Sequence, residues 1–143
     1  MDFWEGNGHA EGREFGTQHL DEQAFKQRTK KLALRVLRLV ESLPRKTSTD
    51  VIGKQLFRCA TSVGANYRSA CRAKSTADLI AKLSIVEEEA DECLYWLELL
   101  VEAGEIPEAK IKNLMTETNK ILAMTVASIK TLRCKNTNPK SKI

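Results

Sequence analysis

From Asp21 to Cys134 the chain carries almost nothing that would stop a helix. Pro44, Pro107 and Gly104 fall at points where a pattern of apolar residues ends, and only Gly53 and Gly64 interrupt one. Of the seven glycines, three lie in the first twelve residues. A stretch this poor in turn residues favours long helices over short strands, because every strand connection needs its own turn chemistry. The apolar spacing agrees. Phe25, Thr29, Leu32, Val36, Leu39 and Leu43 follow one another at alternating intervals of four and three, the period of a seam between packed helices.

The breakers divide the chain into four such segments. The first runs from Asp21 to Leu43, where Pro44 forces the preceding residue out of the α region. The second opens near Thr49, a fair N-cap, carries the seam Ile52, Leu56, Cys59, Val63, Asn66 and Ala70, and ends near Lys74. Ser75 and Asp78 form a start signal for the third, whose seam is Leu79, Leu83, Val86, Ala90, Cys93, Leu97 and Leu100. Gly104 suits the left-handed position after that helix, and Pro107 suits the first turn of the fourth, which reaches about Cys134. Short connections make sequential helices antiparallel neighbours. The expected architecture is an all-α, up-down-up-down four-helix bundle over residues 21–135. A glycine-rich arm precedes it over residues 1–20, and a basic tail follows over 136–143.

Charge is segregated along the chain. Residues 1–24 carry a net −5, residues 25–82 a net +11, residues 83–109 a net −9 and residues 110–143 a net +7. Such blocks either meet within the fold or face an outside partner. At about 100° per residue, Lys54, Arg58, Arg68 and Arg72 form one stripe on the second helix, opposite its core seam. Lys30, Lys31, Arg35 and Arg38 of the first helix, and Arg45 and Lys46 of the loop, extend the basic hairpin. Together they are the candidate nucleic-acid surface, since Lys and Arg on a rigid scaffold neutralise phosphates.

A second face of the same helix collects Gly53, Phe57, Ala60, Gly64 and Cys71. Small residues let another helix approach, so Gly53, Phe57, Ala60 and Gly64, with Tyr95 and Trp96 of the third helix, form a candidate subunit interface. Asn66 on the core seam calls for a buried partner, with Glu89, Asp91 or Glu92 as candidates.

Other chemistry finds little support. A di-iron bundle needs Glu-x-x-His on two helices, and both histidines, His9 and His19, fall in the expected arm. No metal, cofactor or catalytic residue is expected, and the chain does not read as an enzyme. Cys59, Cys71, Cys93 and Cys134 form no CxxC pair and read as reduced thiols. No apolar run approaches the ~18 residues of a membrane span, and the acidic start is unlike a secretory signal, so a cytoplasmic protein is expected.

Several runs resemble one known family. Lys31-Leu32-Ala33-Leu34-Arg35, Ser42-Leu43-Pro44, Ile52-Gly53-Lys54-Gln55-Leu56, Glu89-Ala90-Asp91-Glu92 and Leu94-Tyr95-Trp96-Leu97-Glu98-Leu99-Leu100 are similar to the 23S rRNA intervening-sequence proteins. Thr61-Ser62-Val63-Gly64-Ala65-Asn66-Tyr67-Arg68 is the most specific of these matches, and the likeness spans about residues 25–133. The resemblance implies a four-helix bundle assembled as a ring-like homopentamer. It also implies kinship with the accessory variability determinant of diversity-generating retroelements, a basic pentameric bundle that binds nucleic acid and reverse transcriptase. The expected function is therefore a non-catalytic oligomer binding structured RNA or another nucleic acid, read by shape and backbone. The alternative is a structural or adaptor homo-oligomer whose main partner is protein.

Overall fold

The computed structural model describes the backbone of residues 14–137 and the side chains of residues 21–136. Four helices follow in order: α1 (Glu14–Ser42), α2 (Thr47–Ala70), α3 (Thr76–Glu102) and α4 (Glu108–Thr137). No strand occurs among the described residues. The helix α1 begins at Glu14 rather than Asp21 and so includes His19, which the sequence placed in the arm. The rest of the expected arm and of the basic tail lies outside the described residues.

Three boundaries have visible causes. Ser75 caps α3 by accepting a 3.0 Å hydrogen bond from the Asp78 amide. Gly104 takes φ 75° after α3, the left-handed turn expected of it. The start of α2 differs from expectation. Its N-cap position is Lys46, which makes no side-chain cap. Thr49 lies inside the helix, buried, and its hydroxyl donates back to the carbonyls of Pro44 and Lys46. The end of α2 also differs. Regular helix stops at Ala70, so Cys71 and Arg72 belong to the turn that leads to α3.

Each helix meets its neighbours in sequence, and α1 closes the set with a slight contact to α4. Among the described residues α1 and α3 do not meet, nor do α2 and α4. Close approaches define how α1 lies on α2. A Cβ added to Gly53 would lie 3.1 Å from Val40 Cγ1, and one added to Gly64 would lie 3.4 Å from Thr29 Oγ1. One turn further on, the rings of Phe25 and Tyr67 meet edge to face at 4.6 Å. Positions rise along α2 as they fall along α1, so the two run in opposite directions. The same holds for α2 and α3, where Lys46 meets Glu105 and Arg58 meets Glu92.

The core joins Leu32 and Val36 of α1, Leu56, Cys59 and Val63 of α2, Leu83, Val86 and Leu97 of α3, and Ile121 and Leu132 of α4. Tyr67, fully buried, takes the core position on α2 that the seam spacing assigned to Asn66. Asn66 is only half-buried and donates to the Ser62 carbonyl of its own helix at 2.8 Å, so it links no helix to another. Buried hydroxyls are satisfied in the same local way. Thr29, Thr118 and Thr125 donate to the carbonyls of Lys26, Leu114 and Ile121, and among the described residues no buried side-chain donor lacks a partner.

The glycines of α2 predict opposite outcomes. Gly53→Leu should destabilise the fold by about 1–3 kcal/mol through overpacking against Val40. Gly64→Ala meets only ordinary contact and should be neutral or stabilising by up to about 1 kcal/mol. Denaturant midpoints at unchanged m-value would check both.

Candidate nucleic-acid surface

The basic stripe expected on α2 is not uniform. Lys54 and Arg68 are exposed and make no ion pair among the described residues. Arg58 is committed. Its Nη1 donates to both carboxylate oxygens of Glu89 at 3.3 Å, and its Nη2 donates to Glu92 Oε1 at 2.6 Å. The hydrogen bond from Arg58, followed by one from Trp96 Nε1, holds the Glu92 carboxyl below its ordinary range. The acidic helix that neutralises Arg58 is therefore the chain's own α3. Lys46 is likewise taken, by Glu105 at 2.7 Å. Arg72 is exposed in the turn after α2, where helical projection no longer assigns its direction. Arg45 is exposed in the loop before α2.

The candidate subunit interface is also redistributed. Gly53 and Gly64 are covered by Val40, Leu43 and Thr29 of α1, and Ala60 is fully buried. These small residues seat α1 of the same chain, although Gly64 keeps part of its surface open. Phe57, 36% exposed, and Tyr95, 56% exposed, do reach the surface. Trp96 is half-buried against the core and hydrogen-bonded to Glu92.

A different basic ridge emerges between α1 and α4. Arg28, Lys31, Arg35 and Arg38 recur at intervals of three, four and three, so they share one flank of α1. The position of that flank is given by Arg28. Its Nε and Nη2 donate to the two oxygens of Glu117 on α4, the second at 3.1 Å, and its Nη1 lies 3.2 Å from Met124 Sδ. On α4 the same flank carries Lys110, Glu117, Lys120 and Met124 at intervals of seven, three and four. Glu117 is the only acid of α4 after Glu108, and the Arg28 hydrogen bond holds its carboxyl below the usual range, with Arg35 and Lys120 adding to the effect. Lys31, Arg38, Lys110 and Lys120 are exposed, Arg35 is half-buried, and none of these five makes an ion pair among the described residues. Lys30 is exposed on the other flank of α1, towards α2.

The sequence reading named Lys31, Arg35 and Arg38 but missed Arg28 and the two α4 lysines. A signal was present. Arg28 precedes the seam residue Thr29 and Glu117 precedes the seam residue Thr118, which puts both on the same side of their seams. Among the described residues no group of three or more His, Cys, Asp or Glu could hold a metal ion, and no helix is long and apolar enough to cross a membrane.

The carboxylates give a signed pH dependence. The folded pKa of Glu117 and Glu92 lies below the unfolded value, so their contribution is complete above that value, about 4.3, and is lost as pH falls through the folded ones. Thermal midpoints of the wild type should hold between pH 7 and 5 and fall below that. In Glu117→Gln the fall should be shallower. Arg28→Ala should cost on the order of 1 kcal/mol at neutral pH, because the pair is partly exposed and screened.

Comparison with known proteins places this surface in context. The family model described as "23S rRNA-intervening sequence protein" matches residues 21–127. A solved structure is also similar, that of a protein of unknown function from the S23 ribosomal protein family of Bacteroides thetaiotaomicron. It is 34% identical, with a TM-score of 0.71, over 76% of this chain and 97% of that one. No curated protein matches.

Proposed function

The chain belongs to the 23S rRNA-intervening sequence protein family, and from that premise we propose that it is a non-catalytic homo-oligomer that binds structured RNA or another nucleic acid. In this reading the helices form an up-down-up-down bundle, the subunits close into a ring of five, and the phosphates lie along the α1–α4 edge. One observation carries the nucleic-acid part. On that edge Lys31, Arg35, Arg38, Lys110 and Lys120 stand without ion pairs among the described residues, while the α4 acid beside them, Glu117, is already neutralised by Arg28. Unpaired cations on two rigid helices neutralise phosphates and free the counterions condensed on the polyanion, the entropic source of affinity for phosphate backbones. The stripe on α2 contributes less, since its central Arg58 is held by Glu89 and Glu92.

Because recognition is through phosphates, salt should oppose it. Titration of a structured RNA should show affinity falling steeply with ionic strength. Lys31→Ala/Arg35→Ala/Arg38→Ala should weaken binding and reduce the slope of log K against log salt by about one per lost contact. Arg58→Ala should bind within about twofold of wild type, as expected when no phosphate contact is removed. Binding indifferent to salt, or unchanged in the triple variant, would remove the proposal.

A further inference from the structure

We infer that Cys59 and Cys93 form a latent disulfide, a modification site whose oxidation ties α2 to α3 across the core. The inference goes beyond the nucleic-acid reading and does not depend on what the α1–α4 edge binds.

The two residues stand 34 positions apart in the sequence and belong to different helices, yet their free thiols meet. Cys93 Sγ lies 3.0 Å from Cys59 Sγ. An S–S bond is about 2.05 Å long, so joining them asks for a further approach of about 1 Å. The alignment that brings them together is held from outside the core. Arg58 and Glu92, the residues just before them on each helix, form an ion pair at 2.6 Å on the α2–α3 rim. Lys46 meets Glu105 further along the same two helices. With α2 and α3 so aligned, the two sulfurs face each other behind the Arg58–Glu92 pair.

A buried cysteine often serves as a small apolar filler. That role asks for a small side chain on each helix, and nothing in it asks for both members of one contact to be cysteines. The other two cysteines lie elsewhere, Cys71 half-buried in the turn after α2 and Cys134 exposed on α4.

The closed contact protects the pair. Both residues are fully buried. The hydrogen bond to Cys59, and then burial, keep the proton on Cys93, whereas only a thiolate is nucleophilic. Reaction therefore waits for α2 and α3 to part. One cysteine then ionises and attacks a sulfur of a small organic disulfide, which expels a first thiolate and leaves a mixed disulfide on the protein. The second cysteine, as its thiolate, attacks the protein sulfur of that bond and expels a second. The protons given up by the two cysteines end on the two expelled thiolates. Two protein thiols are thus oxidised, and one small disulfide is reduced to two thiols. A core that buries both residues fully has no space for the mixed adduct, so closure favours the internal bond. In a reducing compartment such links are transient and report oxidation. The reduced chain can open between α2 and α3, and the oxidised chain cannot.

Glutathione disulfide supplies the test, on a full-length Cys71→Ala/Cys134→Ser variant that leaves only the pair. The chain is incubated just below its thermal midpoint, where opening is frequent. Its intact mass should fall by about 2 Da, the two hydrogens lost on oxidation. Peptide mapping should find Cys59 joined to Cys93. The thermal midpoint should rise by about 10 °C, and a reductant should reverse both changes. In the wild type the same link should form, with any glutathione adduct confined to Cys71 and Cys134. Stable adducts on Cys59 or Cys93 would overturn the inference. So would thiols that stay free in a buffer that oxidises the urea-unfolded chain, or a link that leaves the midpoint unmoved or lowered.

Discussion

The close seating of α1 on α2 decides where the rest of the surface points. Gly53 and Gly64 remove side chains where Val40 and Thr29 arrive, and the Phe25–Tyr67 ring contact sets the register at the other end. Contacts at three heights fix which side of α1 lies on α2. Once Thr29 is turned towards α2, its neighbour Arg28 must face α4, and Lys31, Arg35 and Arg38 follow it by helical geometry. The basic ridge is therefore a consequence of core packing. Enlarging Gly53 would disturb it without touching a single cation.

Charge is then divided by what each flank meets. On the side of α2 next to α3, acids and bases are brought together, with Arg58 forked between Glu89 and Glu92. Such pairs contribute little stability where solvent reaches them. Their effect is to take Arg58 out of the charge that α2 offers a polyanion. On the α1–α4 edge α4 offers a single acid, Glu117, which cancels Arg28 and no other cation. The net charge of +4 is thus a poor guide to what a partner meets, since the chain exposes a basic edge and, on a different side, a cleft lined by Glu87, Glu88 and Asp91 of α3.

Much of this was legible in the amino-acid order. The apolar spacing, Ser75 and Gly104 marked four helices, and the runs around Thr61–Arg68 and Leu94–Leu100 pointed to the right family. What failed did so for physical reasons. A strict seven-residue seam drifts by about 20° per heptad against a straight helix, and two heptads past Ile52 that drift moves the core from Asn66 to Tyr67. Projection of Arg72 assumed a helix that ends at Ala70. The fates of Gly53, Gly64 and Arg58 were hidden for another reason. Helical periodicity shows that α2 has two flanks but not which one α1 occupies and which α3. That choice is the handedness of the bundle, a property of the packed molecule.

The core also holds a pair of thiols whose placement has a practical meaning. Cys93 donates to Cys59 across the α2–α3 contact, Sγ to Sγ 3.0 Å, and Cys59 donates to the Leu56 carbonyl of its own helix. Both are fully buried. The hydrogen bond to Cys59, together with burial, pushes the Cys93 thiol far above its ordinary pKa, which starves it of reactive thiolate. Cys134, by contrast, is exposed on α4. Cys71 is half-buried in the turn after α2. The contrast between exposed Cys134 and the two silent thiols gives the chain its own clock. Alkylation at Cys134 times the reagent, and alkylation at Cys59 and Cys93 times the parting of α2 from α3, with no label added to the molecule.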